Sequence, residues 1–271
     1  MLRSMYSGIS GMKNFQTKLD VIGNNIANVN TFGFKKGRAM FKDLVSQQVA
    51  GASAPVQNGR GGTNPKQVGL GAQLASIDTI HTQGSLQTTN RTLDLSISGD
   101  GYFVVTDGAN DYYTRAGNFY LDENGDIVNN DGFYLKEVNG NGTDYPINIP
   151  DTASEFSIGQ DGSVTYTDPS NTTNPLVVEG TIALAKFPNN GGLQKVGNNL
   201  YIETINSGDV SIALPGSGGT GSIEPGTLEM SNVDLSEEFT EMIVAQRGFQ
   251  ANTRIITTSD EILQELVNLK R

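Results

Sequence analysis

Apolar side chains recur every three or four residues along the first thirty positions of the chain. They are Leu2, Met5, Ile9, Met12, Leu19, Ile26 and Val29, with Phe15 and Ile22 widening the stripe. This spacing places them on one face of an α-helix in a heptad-like repeat. Glycines within the segment each weaken an isolated helix by about 1 kcal/mol relative to alanine. The pattern predicts a long amphipathic helix that depends on a partner.

The C-terminal end carries a second stripe of the same kind. Its members are Leu235, Phe239, Met242, Phe249, Ile256, Leu263 and Val267. Asp234 followed by Glu237 resembles a capping box, and Lys270 and Arg271 at the end suit the helix dipole. We expect this segment to be a helix that packs against the first one. Together they would form a coiled-coil-like assembly domain over residues 1–30 and 231–271.

Between the two stripes the pattern changes to short segments that alternate with period two. Asn124-Gly125 and Asp161-Gly162 each separate two such segments, which is typical of a β-hairpin turn. We expect a mainly β domain over residues 86–213, an extended connector over 31–85 and a return linker over 214–230. The predicted fold class is α+β, with long terminal helices and a central β domain built of hairpins.

More apolar surface lies on the two stripes than one helical hairpin can cover. Further apolar residues flank them, namely Tyr6, Ile243, Ile255, Ile262 and Leu269. An intramolecular hairpin that buries both faces is one interpretation. The surplus favours packing against other copies or another chain. We therefore hypothesise that the terminal segments are largely disordered in the monomer and fold as it polymerises.

Composition excludes several classes of function. The net charge of −11 disfavours nucleic acid as a partner. The chain has no cysteine and a single histidine, His81, so neither a thiolate site nor a multi-histidine metal site can form. No apolar segment is long enough to span a membrane, and the N-terminus does not resemble a cleavable signal peptide. We expect no cofactor, no metal and no membrane insertion.

The remaining motifs do not support catalysis. Residues 216–221 match G-x-G-x-x-G in letters, but they lack the flanking strand and helix and are predicted to be a flexible linker. Residues 122–126 resemble the start of a calcium loop without its later ligands, so an acidic hairpin turn is expected. His81 is expected at the surface. The chain is predicted not to be an enzyme, although a ligand-binding or hydrolytic β domain stays an alternative hypothesis.

A short basic cluster follows the first helix at Lys35, Lys36 and Arg38. It is too short for a nucleic-acid-binding surface. It could meet the acidic start of the C-terminal helix of a neighbouring copy. The alternative is a solvated loop end.

Three stretches resemble the flagellar axial proteins, the rod and hook family. The first is SGISGMKNFQTKLDVIGNNIANVNTFGFKK, which contains the family element N-x-x-N-x-x-T-x-G-F at Asn25, Asn28, Thr31, Gly33 and Phe34. The second is DLSISGDGYFVV with YTRAGNFYLDENGDIV, and the third is SNVDL with AQRGFQAN. The resemblance implies a tubular polymer with the terminal helices inside and the β domain outside.

Within the family, both ends most resemble the short hook proteins of Bacillus-type bacteria. This implies a subunit of a flexible hook that couples rod to filament and transmits torque. The alternative is a distal rod protein that forms a rigid drive shaft. The resemblance further implies export through the flagellar type III apparatus without a cleavable signal and an extracellular place in the flagellum. The implied partners are other copies, the distal rod protein, the hook cap and the hook–filament junction proteins.

Overall fold

Both terminal stripes form helices in the computed structural model of the chain. Helix α1 is Leu2–Ala27 and helix α2 is Leu235–Leu269. The structure describes residues 2–55, 60–138, 146–153, 155–169 and 176–269. Asp234 is the N-cap of α2. Its Oδ1 accepts the backbone N–H of Ser236 at 2.8 Å, and its carbonyl accepts the backbone N–H of Glu238 at 3.0 Å. The prediction of an α+β chain with a helix at each end is confirmed.

The chain divides into two compact units, here called unit 1 and unit 2. Unit 1 contains residues 1–27, 37–79 and 234–271, and unit 2 contains residues 28–36 and 80–233. Residues 37–79, here called the ribbon, hold strands that pair in two antiparallel sets, β1 with β4 and β2 with β3. Their bounds are β1 (Gly37–Asp43), β2 (Gln47–Ala50), β3 (Lys66–Val68) and β4 (Ala72–Thr79).

Helices α1 and α2 run antiparallel within unit 1. Gly8 of α1 lies against Ile256 of α2, and Gly11 lies against Asn252. Further along, Lys18 Nζ forms an ion pair with Glu241 Oε2 at 3.1 Å. Extrapolating this register places the start of α1 opposite about residue 262 of α2. The last turns of α2 therefore extend beyond α1 by about 10 Å at about 1.5 Å per residue.

Unit 2 is built from short strands. In the residues that the structure describes, its largest sheet has nine of them, in the order β16-β17-β8-β7-β11-β10-β9, with β15 pairing both β7 and β18. The bounds are β5 (Leu86–Thr88), β6 (Leu95–Ser98), β7 (Tyr102–Thr106), β8 (Asp111–Thr114), β9 (Tyr120–Leu121), β10 (Ile127–Val128), β11 (Tyr134–Leu135), β12 (Phe156–Ile158), β13 (Ser163–Thr167), β14 (Leu176–Thr181), β15 (Leu184–Lys186), β16 (Gln194–Gly197), β17 (Leu200–Ile202), β18 (Ser211–Ala213), β19 (Ser222–Pro225) and β20 (Thr227–Glu229).

Strand β7 divides the interior of unit 2 into two apolar clusters. Phe103 and Val105 point into the larger cluster, whereas Tyr102 and Val104 point into the smaller one. This is the period-two alternation of a strand that is buried on both faces. Phe103 and Phe119 meet edge to face in the larger cluster, with ring centroids 5.3 Å apart. Unit 2 thus has a packed interior of its own.

The predicted hairpins at Asn124-Gly125 and Asp161-Gly162 are present. The first joins β9 to β10 and the second joins β12 to β13. Gly125 and Gly162 have φ values of +85° and +78°, which glycine adopts without steric cost. The acidic run at 122–126 is accordingly a hairpin turn.

The predicted connector and return linker contain more regular structure than expected. Residues 31–85 include the four paired strands of the ribbon, and residues 214–230 include β19 and β20, which pair with β6 and β5. The glycine-rich run at 216–221 is not a flexible linker. It is a turn in which the Thr220 hydroxyl donates to the carbonyl groups of Leu214 and Ser217. These strands are too short to show a clear alternation of apolar and polar residues, so the sequence pattern does not predict them.

Gly117 provides a test of packing in unit 2. A Cβ at this position would overlap the carbonyl oxygen of Leu95, a residue held in place by the hydrogen bond that its backbone N–H donates to the Gly117 carbonyl at 2.9 Å. We expect Gly117→Ala to lower the free energy of unfolding by about 1–3 kcal/mol. Gly61→Ala, in open space, is the control and should leave stability nearly unchanged. Urea unfolding followed by circular dichroism measures both, and equal stabilities would contradict the packing.

Candidate assembly surface

Small residues on each helix face larger side chains on the other, as Gly8 faces Ile256 and Gly248 faces Phe15. Gly8 and Gly11 of α1 face α2, and a Cβ on Gly248 of α2 would lie 2.5 Å from the ring of Phe15. Ala245 and Ser259, also on α2, are buried. Because glycine has no side chain, it lets two helix backbones approach closely. The contact stripe therefore lies one position beside the most apolar stripe on each helix.

The apolar stripes that the sequence predicts are only partly covered in one copy of the chain. Ile22 is buried, whereas Ile9 on α1 and Phe239 on α2 are about half exposed. Leu235, Phe249 and Val267 are exposed, and intermediate exposure is found for Met5, Met12, Phe15, Leu19, Ile26, Val29, Met242, Ile256 and Leu263. The side chain of Leu2 lies outside the described residues, as do Lys270 and Arg271.

Other apolar residues extend this exposed surface. Ile243 and Val244 of α2 are each 59% exposed, and Tyr6 of α1 is 69% exposed. Toward the end of α2 the exposed members are Ile255, Ile262, Leu266 and Leu269. We call all these exposed residues of α1 and α2 the apolar helix surface. An apolar area of this extent is typical of an interaction surface.

Asn25 connects three segments of unit 1 at the end of α1. Its side-chain Nδ2 donates to the carbonyl of Gly37 at 2.9 Å and to Oε2 of Glu238 at 3.1 Å. Its Oδ1 accepts the backbone N–H of Gly37 at 2.9 Å. Asn25 and Glu238 are both buried. One amide thus fixes the start of the ribbon and the first turn of α2 to α1.

The rest of the N-x-x-N-x-x-T-x-G-F element lies in unit 2 and forms a turn. The Thr31 hydroxyl donates to Asn28 Oδ1 at 3.1 Å, and its backbone N–H donates to the Asn28 carbonyl. Gly33 has a φ of +70°, and a Cβ there would lie 2.6 Å from the backbone nitrogen of Ala116. Phe34 is buried beneath the amine of Lys195, which lies 5.0 Å from its ring centroid. Each residue of the element therefore has a structural task.

A buried ionic cluster lies directly after this turn. Lys35 Nζ and Glu229 Oε1 are 2.5 Å apart, and Arg115 Nη1 donates to Glu229 Oε2 at 3.1 Å. The backbone N–H of Gly84 also donates to Glu229 Oε1, at 2.9 Å. Burial lowers the pKa of Lys35, opposed by the attraction of Glu229. Lys35 and Arg115 share the carboxylate of Glu229, so this residue supplies the counter-charge for both buried cations.

For Lys35, the structure corrects both interpretations of the basic cluster that follows α1. Lys35 is 1% exposed, so it is neither solvated nor available to another copy. Its amine also donates to the carbonyl of Thr82 at 2.8 Å. Arg38 lies in unit 1 and is 3.8 Å from Asp78, in an exposed pair. A run of three basic residues in the sequence is thus divided between a buried site and a surface.

His81 is half-buried rather than on the surface. Its Nδ1 is 2.8 Å from the hydroxyl of Tyr102, and its ring contacts that of Tyr201 with centroids 5.7 Å apart. Burial, followed by the positive charges of Lys35, Lys195 and Arg115, lowers the pKa of His81 to about 4. The imidazole is therefore neutral at pH 7.

Neither a metal site nor a membrane span is found in the part of the chain that the structure describes. No group of three or more His, Asp or Glu side chains there could hold a metal ion. No helix among the same residues combines the length and the apolar character that crossing a bilayer requires.

Models of protein families match three separate segments. Residues 5–35 match the flagella basal body rod protein, residues 96–166 match the flagellar hook protein FlgE/F/G D1 domain, and residues 224–269 match the flagellar basal body rod FlgEFG protein C-terminal. These segments contain most of α1 with the turn that follows it, the centre of unit 2, and α2.

Three relatives are similar over their whole length. The flagellar basal-body rod protein FlgG of Bacillus subtilis is 61% identical over 272 aligned positions, with 100% of both chains covered. FlgG of Borreliella burgdorferi is 38% identical, and the flagellar hook protein FlgE of the same organism is 34% identical, each with 100% of both chains covered. The chain belongs to the family of flagellar rod and hook proteins. It is a structural component of the flagellum and not an enzyme.

Within this family, the relatives favour the rod alternative over the hook interpretation. The alignment with the hook protein of Borreliella burgdorferi extends over 442 positions, although this chain has 271 residues. The alignments with the two rod proteins extend over 272 and 274 positions. Similarity of the two ends alone could not separate hook from rod, because the ends are the parts that the family shares.

Replacing Glu229 tests the buried ionic cluster. Glu229→Gln keeps the shape of the side chain but leaves Lys35 and Arg115 without a counter-charge. We expect the free energy of unfolding to fall by about 3–5 kcal/mol. Asp78→Asn, which removes the exposed pair with Arg38, is the control and should cost at most about 1 kcal/mol. The chain has no tryptophan, so tyrosine fluorescence in urea follows unfolding. A loss no greater than the control's would contradict the cluster.

The low pKa of His81 predicts a loss of stability in mild acid. Between pH 6.5 and about 4 the unfolded chain binds a proton at His81 that the folded chain does not bind. Stability from this group is thus present above pH 6.5 and is lost as the pH falls, by at most about 1.4 kcal/mol per pH unit. We expect the stability difference between the wild type and His81→Gln to shrink from pH 7 to 4. A difference independent of pH would contradict this.

Proposed function

We propose that this chain is a subunit of the distal flagellar rod, where copies polymerise into a stiff tube that transmits torque. The observation that carries the proposal is the 61% identity to the rod protein FlgG of Bacillus subtilis across both complete chains. The length supports it too, because the chain aligns with rod relatives without the large insertion that the hook alignment requires.

The apolar helix surface supplies the physical basis of polymerisation in this proposal. Other copies would cover the exposed residues of α1 and α2, in addition to the contact that the two helices make within one copy. Burying one large apolar side chain stabilises an assembly by about 1.5–3 kcal/mol. A repeated contact of this kind that does not close on itself generates an open helical tube.

Export and partners form part of the same proposal. The subunit would leave the cell through the flagellar export apparatus, and its neighbours would be other copies and the adjoining rod and hook subunits. The hook cap and the hook–filament junction proteins follow only from the hook interpretation, so the proposal does not include them. The ordering of the terminal helices during polymerisation also stays a proposal.

Complementation separates the rod from the hook. We expect this chain to restore swimming to Bacillus subtilis that lacks its own FlgG, and not to a strain that lacks its hook protein. Electron microscopy of polymers from the purified chain should show short, straight tubes. Curved tubes, or rescue of the hook-deficient strain alone, would contradict the rod assignment.

Phe239 tests the apolar helix surface. Because this side chain is 50% exposed, Phe239→Ser should leave the monomer folded. We expect the critical concentration for polymerisation to rise at least about tenfold, as for the loss of a well-packed aromatic residue at an interface. Sedimentation measures the subunit that stays in solution. Gln246→Ser, at an exposed polar position of the same helix, is the control. Equal critical concentrations for the two variants would contradict the assignment.

A further inference from the structure

Charge is distributed unevenly along the chain. Unit 2 contains seven Lys and Arg against nineteen Asp and Glu, a net charge of −12. The ribbon at residues 37–79 contains four Lys and Arg against two Asp, a net charge of +2. In a polymer of identical copies, the ribbon of one copy would therefore be attracted to unit 2 of another.

Unit 2 has a cavity of about 1080 Å³ beside its large sheet. The cavity is lined by residues from β8, β11, β16 and β17, with Tyr112, Tyr113 and Tyr134 among them. Two carboxylates, Asp111 and Glu203, also line it. Asp111 Oδ2 pairs with Lys136 Nζ at 2.9 Å. Glu203 is exposed and has no partner among the described residues.

Tyr113 contributes a hydroxyl group without a partner to this cavity. The residue is 2% exposed, and its ring packs edge to face on Phe187 with centroids 4.7 Å apart. Its hydroxyl makes no hydrogen bond in the described structure. Burial, followed by the negative charges of Glu203 and Asp111, raises the pKa of Tyr113 to about 12, so the hydroxyl keeps its proton. The hydroxyl is not among the buried polar atoms that lack a partner, so it is open to the cavity beside the carboxylate of Glu203, where an incoming polar group can reach it.

The ribbon has the complementary properties. Its cations Lys42, Arg60 and Lys66 are exposed and have no partner in the part of the chain that the structure describes. It also exposes apolar side chains, namely Met40, Phe41, Val45, Val49, Val68, Leu70, Leu74 and Ile77. Two-stranded pairs of β-strands are marginally stable in water by themselves. The ribbon therefore presents both the charge and the apolar area that an interface needs.

We infer that the cavity beside Tyr113 and Glu203 receives a basic side chain from the ribbon of a second copy. A Lys or Arg of that ribbon would pair with Glu203, while its stem lies along the tyrosine rings and Tyr113 completes its hydrogen bonding. This inference rests on the proposed self-assembly and adds a specific polar contact to it. The contact would set which copies adjoin one another, whereas the apolar helix surface supplies most of the area.

Removing one hydroxyl group tests the role of Tyr113. Tyr113→Phe should leave the stability of the monomer unchanged or raise it, because the hydroxyl has no partner there. We expect the critical concentration for polymerisation to rise about three- to tenfold, as for the loss of one hydrogen bond. Tyr120→Phe, on an exposed tyrosine outside the cavity, is the control. An unchanged critical concentration for Tyr113→Phe would overturn the inference.

Charge reversal identifies the partner. Glu203→Lys should raise the critical concentration at least tenfold, while Glu123→Lys, in an exposed turn, should not. Combining Glu203→Lys with Lys42→Glu, Arg60→Glu or Lys66→Glu should restore polymerisation in one combination. Restoration in none of them would overturn the inference. A wild-type chain that fails to polymerise contradicts the proposed function, whereas normal polymerisation of every variant contradicts only this contact.

Discussion

The small residues between α1 and α2 determine what the rest of unit 1 presents to its surroundings. Gly8, Gly11, Ala245 and Gly248 let the two helices approach through their least bulky stripe. The large apolar side chains on the neighbouring stripe are then left facing outward. A hairpin packed through its leucines and phenylalanines would be more stable alone and would have nothing left to share. The position of the glycines thus determines which apolar side chains of the helix pair stay exposed.

Unit 2 differs from unit 1, because it covers its own apolar interior within one copy of the chain. Its large sheet is covered on both faces, and Glu229 joins Lys35 and Arg115 from distant parts of the sequence. Glu229 comes from β20, near the start of α2, and Lys35 comes from the turn after α1. The cluster therefore fixes the segments by which the chain enters and leaves unit 2.

The sequence predicts those parts of the fold that depend on local chemistry. The cap at Asp234 and the hairpin turns at Gly125 and Gly162 follow from one or two residues each. The rotation of each helix does not, because adjacent stripes differ by a single position and the larger side chains dominate any count of periodicity. The Gly8-x-x-Gly11 spacing was the available signal. Nor could local pattern reveal that Lys35 is buried, since its partner Glu229 lies 194 residues away.

The unequal lengths of α1 and α2 have a structural consequence. Because α2 extends past the start of α1, its last turns have no helix beside them within unit 1. Leu266, Val267 and Leu269 on these turns are exposed, so a second copy would bury them without displacing α1.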